Sequence, residues 1–322
     1  MVQARSRPSG NVLRGTLLWE LATEMMGDGA AVQSGNRDIA VAVGSGSGDS
    51  FVPQVRMATG SPLLAHDVAN GGLEIALINP SGCLTQAYRG TGLFTEPLPV
   101  RAIASYPSWD RFTLALHPRT GITSLAQIKE RRYPLRLSIR ESPTHSTRFL
   151  VDQILEGYGF SLTDLESWGG NLQLVGPPRD PQRLEALAAG ELDAIFDEGV
   201  NTWLPQALAG GMRPLTLEEE TLRRLESIGW RRAVIPAGLY AGLDEDHTCI
   251  DFSGWLLYTR AALPDETAYR ACAALYAKAE VIPWDTRAYT GIDQIGRDTD
   301  VTPLDVPLHP GAEQWYREHG GL

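Results

Sequence analysis

Three loops of this 322-residue chain carry side chains suited to gripping a small anion. The first, Gly44-Ser45-Gly46-Ser47-Gly48-Asp49-Ser50-Phe51, follows the β-rich run Asp38-Ile39-Ala40-Val41-Ala42-Val43. Its glycines expose backbone N–H groups, Ser45, Ser47 and Ser50 add hydroxyls, and Phe51 closes the loop. At the start of a helix such a loop suits a carboxylate. A plain tight turn accounts for the same residues. Asn79 and Ser81 directly follow the apolar run Leu73-Glu74-Ile75-Ala76-Leu77-Ile78 and are placed to reach the same ligand, although Asn79-Pro80 is also an ordinary turn starter.

The middle of the chain supplies the cation. Arg140 ends the strand-like run Leu135-Arg136-Leu137-Ser138-Ile139 and leads through Thr144, His145 and Ser146 into an apolar pattern of helical spacing. A guanidinium grips a carboxylate at two points, and hydroxyls ahead of a helix add donors. N-capping by Thr144 or Ser146, with Arg140 in a surface ion pair, is the alternative. Asp197 and Glu198 end a further run, Asp193-Ala194-Ile195-Phe196. They can bind an amino group, order Arg140, or serve as acid and base; pairing with arginines of the hinge is the structural use. His145 beside either acid is the one constellation that resembles catalysis, and it lacks an activated nucleophile.

Other chemistries find less support. The glycine-serine loop lacks a following Lys-Ser/Thr, and no acid stands at the spacing a dinucleotide site needs, so no nucleotide cofactor is expected. Six scattered histidines form no HxH or HExxH pattern, so no metal is expected either. Cys83, Cys249 and Cys272 are odd in number and widely spaced, which reads as buried free thiols. Among the aromatics, Trp109 and Trp203 follow strand or hinge elements and could stack on a ligand; the remainder read as packing.

These loops need elements to hold them. Residues 17–24 read as an amphipathic helix, and residues 53–70 as helical, bent or split at Gly60-Ser61-Pro62. Ser124 caps a short helix, a helix over 147–158 ends at Gly157 and Gly159, and one over 181–189 is closed by Gly190. Strands over 100–104, 112–116 and 172–175 complete a β/α alternation that predicts parallel sheets with helices on both faces. The C-terminal part is rich in Trp and Tyr, and His309-Pro310-Gly311 reads as a turn before the last helix.

With 43% hydrophobic and 21% charged residues, the chain has the composition of a folded globular protein. Its length suits two lobes of roughly 100–200 residues. The expected organisation is an arm and helix over 1–37, a discontinuous lobe of 38–116 with 233–322, and a second lobe of 117–232, joined by a hinge. A net charge of −11 argues against nucleic acid as a partner, and no apolar run is long enough for membrane insertion. A small organic acid is the expected partner.

The order of these motifs resembles a known family. The glycine-serine loop, Ile122-Thr123-Ser124-Leu125-Ala126-Gln127-Ile128-Lys129, Gly190-Glu191-Leu192-Asp193-Ala194-Ile195-Phe196 and Pro307-Leu308-His309-Pro310-Gly311-Ala312-Glu313-Gln314-Trp315-Tyr316 together resemble the solute-binding subunits of TAXI-type tripartite (TRAP) transporters. The resemblance covers residues 38–322. It implies a periplasmic-binding-protein-like type II α/β fold, two doubly wound lobes closing on a ligand, and transporter membrane subunits as partners.

The expected function is therefore binding of a small carboxylate-bearing molecule. An enzyme of lyase or decarboxylase type using His145, Asp197 and Glu198, or a ligand sensor, stands as the alternative on the same scaffold. No leader is evident in the chain as written, so a cytoplasmic location is expected, or a periplasmic one if a leader was removed.

Overall fold

The computed structural model describes residues 39–45 and 52–322, together with Leu17, Leu18, Glu20, Leu21, Glu24 and Met25. Its strands are β1 (Ile39–Ser45), β2 (Val52–Thr59), β3 (Ile75–Ile78), β4 (Val100–Tyr106), β5 (Arg111–Leu116) and β6 (Arg136–Arg140). They continue with β7 (Asn171–Val175), β8 (Ala194–Asp197), β9 (Arg213–Leu215), β10 (Arg232–Ile235), β11 (His247–Asp251) and β12 (Trp255–Arg260). The first helices are α1 (Leu64–Ala69), α2 (Ser81–Arg89), α3 (Leu125–Arg131), α4 (Ser146–Gly157) and α5 (Leu162–Ser167). The later ones are α6 (Pro181–Ala188), α7 (Leu204–Ala209), α8 (Glu219–Ile228), α9 (Asp265–Ala277) and α10 (Pro310–Glu318).

The elements group into two α/β units. One holds the described residues through Tyr88, Glu96–Trp109 and Gly254–Leu322; the other holds Arg89–Thr95 and Asp110–Ser253. The sheets are mixed, where wholly parallel ones were expected. In the first unit the order is β1-β2-β3-β12-β4, and among these pairs only β2 and β3 run parallel. In the second the order is β10-β11-β5-β8-β6-β7, with β9 also on β5; β6 is parallel to β7 and β8, and the other pairs are antiparallel.

The helix expected over 53–70 is the main correction. Val52–Thr59 is a strand, and the helix is confined to Leu64–Ala69. The residues show why. Gln54 and Arg56 lie outward while Val55 and Met57 are buried, a period of two that fits a pleated strand. Arg56 Nε and Nη2 donate to the Glu74 carboxylate at 3.1 and 2.9 Å, which holds the exposed side of the strand.

One apolar core fills the first unit. Leu17, Leu18, Leu21 and Met25, helical where described, pack with Met57, Ile75 and Leu77 of the sheet and with Cys272, Leu275, Trp315 and Tyr316 of α9 and α10. Gly311 explains the close fit of the last two helices, since a Cβ there would overlap the Asp265 backbone carbonyl. His309 caps α10, its Nδ1 accepting from Gly311 N–H at 3.3 Å, and Pro310 and Gly311, read from the sequence as a turn before the helix, form its first turn. All three cysteines are buried free thiols. Among the described residues no helix is long and apolar enough to cross a membrane.

Candidate functional site

Strand direction decides which residues meet. In the second unit β6, β7 and β8 are parallel, so Arg140, Gly176 and the pair Asp197-Glu198 all emerge at the same sheet edge. β5 runs against β8, with Thr113 opposite Asp197, so its first residues lie at that edge too. β11 runs against β5 and places Asp251 opposite Arg111. The edge therefore collects Arg140, Asp197, Glu198, Asp110, Arg111 and Asp251 from four strands.

The acids and arginines there are tightly coupled. Asp197 is fully buried and divides its carboxylate between two guanidiniums: Oδ2 lies 2.5 Å from Arg183 Nη1, and Oδ1 lies 3.4 Å from Arg140 Nε. Arg183, from α6, is also fully buried and donates through Nε to Ser138 Oγ at 2.9 Å. Arg140 keeps 12% of its side chain exposed. It donates to the Glu198 carboxylate and to the Gly176 carbonyl. Asp197 and Glu198 thus order Arg140, and Asp197 also pairs with a second arginine, Arg183 of α6.

Asp110 adds a third carboxyl. Its Oδ1 accepts from the backbone N–H of Arg111 at 2.7 Å and of Gly199 at 2.9 Å. The latter N–H belongs to the residue after Glu198, so the two carboxyl groups are neighbours. Burial, followed by the adjacent Glu198 charge, raises the Asp110 pKa well above the usual carboxylate range. Behind it Arg111 Nη1 meets Asp251 Oδ1 at 2.7 Å and Ser253 Oγ at 2.7 Å.

The loop after Arg140 enters α4 at the same edge. His145, and neither Thr144 nor Ser146 of the capping alternative, is the N-cap, because the helix begins at Ser146. Its Nδ1 accepts from Thr147 N–H at 3.2 Å. Ser146 is buried, and Thr144 is exposed with its hydroxyl 3.4 Å from that of Ser142. Trp203 is fully buried, and its Nε1 donates to the Glu198 carbonyl at 2.8 Å; it packs beneath the edge and presents no face for stacking.

In the first unit the expected grouping divides. Ser45 sits opposite Val52, at the edge where β2 begins; Asn79 and Ser81 follow the end of β3. Because β2 and β3 are parallel, those are opposite edges of one sheet, separated by roughly 25 Å of an eight-residue strand. The finding follows from β2 being a strand, since a helical crossover would have returned β3 parallel to β1. Ser45 is exposed. Ser47, Ser50 and Phe51 lie outside the described residues. Asn79 Nδ2 donates to the Gly254 carbonyl at 3.0 Å, and Ser81, which begins α2, is buried.

Four participants, Arg183, Asp110, Arg111 and Asp251, were not read from the sequence. Arg183 did leave a signal, because it shares the buried stripe of α6 with Ala186 and Leu187 at positions i, i+3 and i+4. A charged residue on such a stripe needs a buried partner. Asp110 left none, because only the pairing of β5 with β8 brings it to Glu198.

Comparison with known proteins places the chain. Among solved structures, XAC2383 from Xanthomonas citri bound to chloride ion is 13% identical over 80% of this chain and 80% of that one, with a TM-score of 0.40. The periplasmic binding protein BugD is 13% identical over 84% of this chain and 79% of that one, with a TM-score of 0.37. Lactococcal OpuAC, closed on glycine betaine, is 11% identical over 96% of this chain and 92% of that one, with a TM-score of 0.36. A model of the NMT1-like family matches residues 41–320, and on that match this chain belongs to the NMT1-like family.

Proposed function

We propose that this protein is a solute-binding protein for a small carboxylate-bearing molecule, and that Arg140 is its carboxylate anchor. The observation that carries the reading is the position of Arg140: a partly exposed guanidinium at the carboxyl edge of parallel strands, directly ahead of α4. Ligands of doubly wound sheets lie beyond that edge, where helix N-termini and strand ends converge. Thr144, His145 and Ser146 follow in the segment that enters α4, and Asp197 and Glu198 fix the guanidinium. In the finer form of the proposal, which rests on the motifs at 122–129, 190–196 and 307–316, the protein is a TAXI-type subunit serving transporter membrane subunits in the periplasm.

Native mass spectrometry of the purified protein tests this reading. A small acid should co-purify and be released on denaturation, and the Arg140→Ala variant should lose about 1.5–3 kcal/mol of its affinity. A bound molecule without a carboxylate, or one held equally well by the variant, would exclude it. Incubation with that acid, followed by chromatography, reports whether it is also converted.

A further inference from the structure

The opposite edge of the second sheet carries a pocket of its own. β5 ends at Leu116, which pairs with Ala194, the first residue of β8. His117 and Arg119 therefore follow at the amino edge of β6 and β8, whereas Arg140 and Asp197 stand at the carboxyl edge. Between the amino edge and the ends of α6 and α7 lies a pocket of about 440 Å³. Leu184, Leu187, Leu192 and Met212 give it an aliphatic wall, and its lining contains no aromatic ring and no acid. Its polar side chains are His117, Arg119 and Gln206. In a chain with 39 acidic and 28 basic residues, an apolar pocket whose one permanent charge is a cation favours an anion. We propose that this pocket is a second ligand site, which takes a medium-chain aliphatic carboxylate with its head group on Arg119 and His117. The inference does not rest on the carboxylate-binding reading of Arg140.

Arg119 is fixed before any ligand arrives. Its Nε donates to Asp193 Oδ1 at 3.1 Å, and its Nη2 donates to the Gly190 carbonyl at 2.9 Å and to the Leu192 carbonyl. Asp193 is shared with Arg136, whose Nη2 and Nε meet its two oxygens at 2.7 and 2.9 Å, so one carboxylate serves two guanidiniums. Nη1 of Arg119 takes part in none of these bonds, and it lies 3.6 Å from where a Cβ on Gly190 would sit. His117 Nδ1 accepts from the Arg119 backbone N–H at 3.1 Å, which leaves the ring proton on Nε2 as a donor. That nitrogen lies 3.6 Å from the Cβ position of Gly211. Gly190 and Gly211 turn the chain after α6 and α7 with φ of +70° and +89°, a backbone that glycine adopts without strain. Glycine at both points also keeps the space beside Nη1 and Nε2 clear. Two donors held by residues two apart thus line one apolar pocket, and their prior fixation removes the ordering cost of binding.

Calorimetric titration with butanoate, hexanoate and octanoate tests the site. Affinity should rise about threefold to fourfold for each added methylene, as the aliphatic wall covers more of the chain. Octanoate should bind about tenfold tighter than octanol, and octylammonium should bind more weakly than either. Arg119→Met, which keeps the apolar stem and removes the charge, should lose the preference for the anion. Because Arg119 also braces Asp193 and Gly190, a second variant leaves it in place: Ala209→Trp, at an exposed position of the pocket lining, should fill the cavity and abolish octanoate binding at an unchanged melting temperature. Absence of octanoate binding, equal affinity for octanol and octanoate, no dependence on chain length, or full octanoate binding by Ala209→Trp overturns the inference. So does loss of octanoate binding in a folded Arg140→Ala protein, which would place octanoate at the carboxyl edge instead.

Discussion

Arg183 and Asp197 face each other at 2.5 Å, both side chains wholly removed from solvent. An ion pair in that setting is held against a large desolvation cost, so its value lies in what breaking it does. Arg183→Met should leave Asp197 without its principal buried partner and lower unfolding free energy by about 3–5 kcal/mol. Adding Asp197→Asn to that variant should recover part of the loss, because the uncompensated charge is then gone. Denaturant unfolding of both variants gives the comparison, and a double variant no better than the single one would contradict this assignment.

Arg140 also has a structural share. With 12% of its side chain exposed and bonds to Glu198 and Gly176, Arg140→Ala should cost about 2–3 kcal/mol of stability in addition to its effect on binding. The sequence alone suggested no such cost, because it offered Arg140 a ligand or a surface ion pair. Thermal denaturation of ligand-free protein separates the two roles, and an unchanged midpoint would mean that water replaces the guanidinium.

His247 should make the second unit sensitive to acid. Burial pushes its pKa down to about 4, and its ring nitrogens meet Thr113 Oγ1 at 2.7 Å and Thr216 Oγ1 at 3.3 Å. An unfolded histidine titrates near 6.5, so the unfolded chain takes up the proton first as pH falls. Stability from this residue is complete above pH 6.5 and declines by about 3 kcal/mol as pH drops toward 4. Subtracting the pH profile of His247→Gln from that of wild type should isolate this slope; parallel profiles would refute it.

Gly311 should tolerate no side chain. Gly311→Ala drives a methyl into the Asp265 carbonyl and should cost about 1–3 kcal/mol by overpacking. Glu313→Ala, which removes only a partly exposed partner of Arg317 on the same helix, should cost no more than about 0.5 kcal/mol. Equal melting temperatures for the two variants would show that α9 and α10 separate freely.

The three thiols should be silent in the native state. Burial pushes Cys249 and Cys272 up to about 12 and raises Cys83 as well, so little thiolate forms at neutral pH. A colorimetric thiol reagent should react only at the rate of unfolding, and a fast phase in native buffer would disprove the burial.

What the sequence determined by itself is whatever depends on neighbours in the chain. The caps at Ser124 and Asp180, Pro181 in the first turn of α6 and the stop at Gly190 are local hydrogen-bonding and dihedral choices, and they stand where the residues place them. So do the runs ending at Ile78, Arg140 and Asp197, whose apolar character requires burial wherever they pair. Only the tertiary structure decided which ends share an edge. An eight-residue stretch with Pro53 and a charged Arg56 fits a helix or a strand by local preference, and antiparallel pairing with β1 settles it. That one choice moves Ser45 away from Asn79 and Ser81. In the same way Asp110 reaches Glu198 because β5 runs against β8, and Arg183 reaches Asp197 because α6 turns its buried stripe toward the sheet. Strand partners and direction are set by side chains far apart in sequence, so the chemistry of the edge becomes visible only when the sheet is assembled.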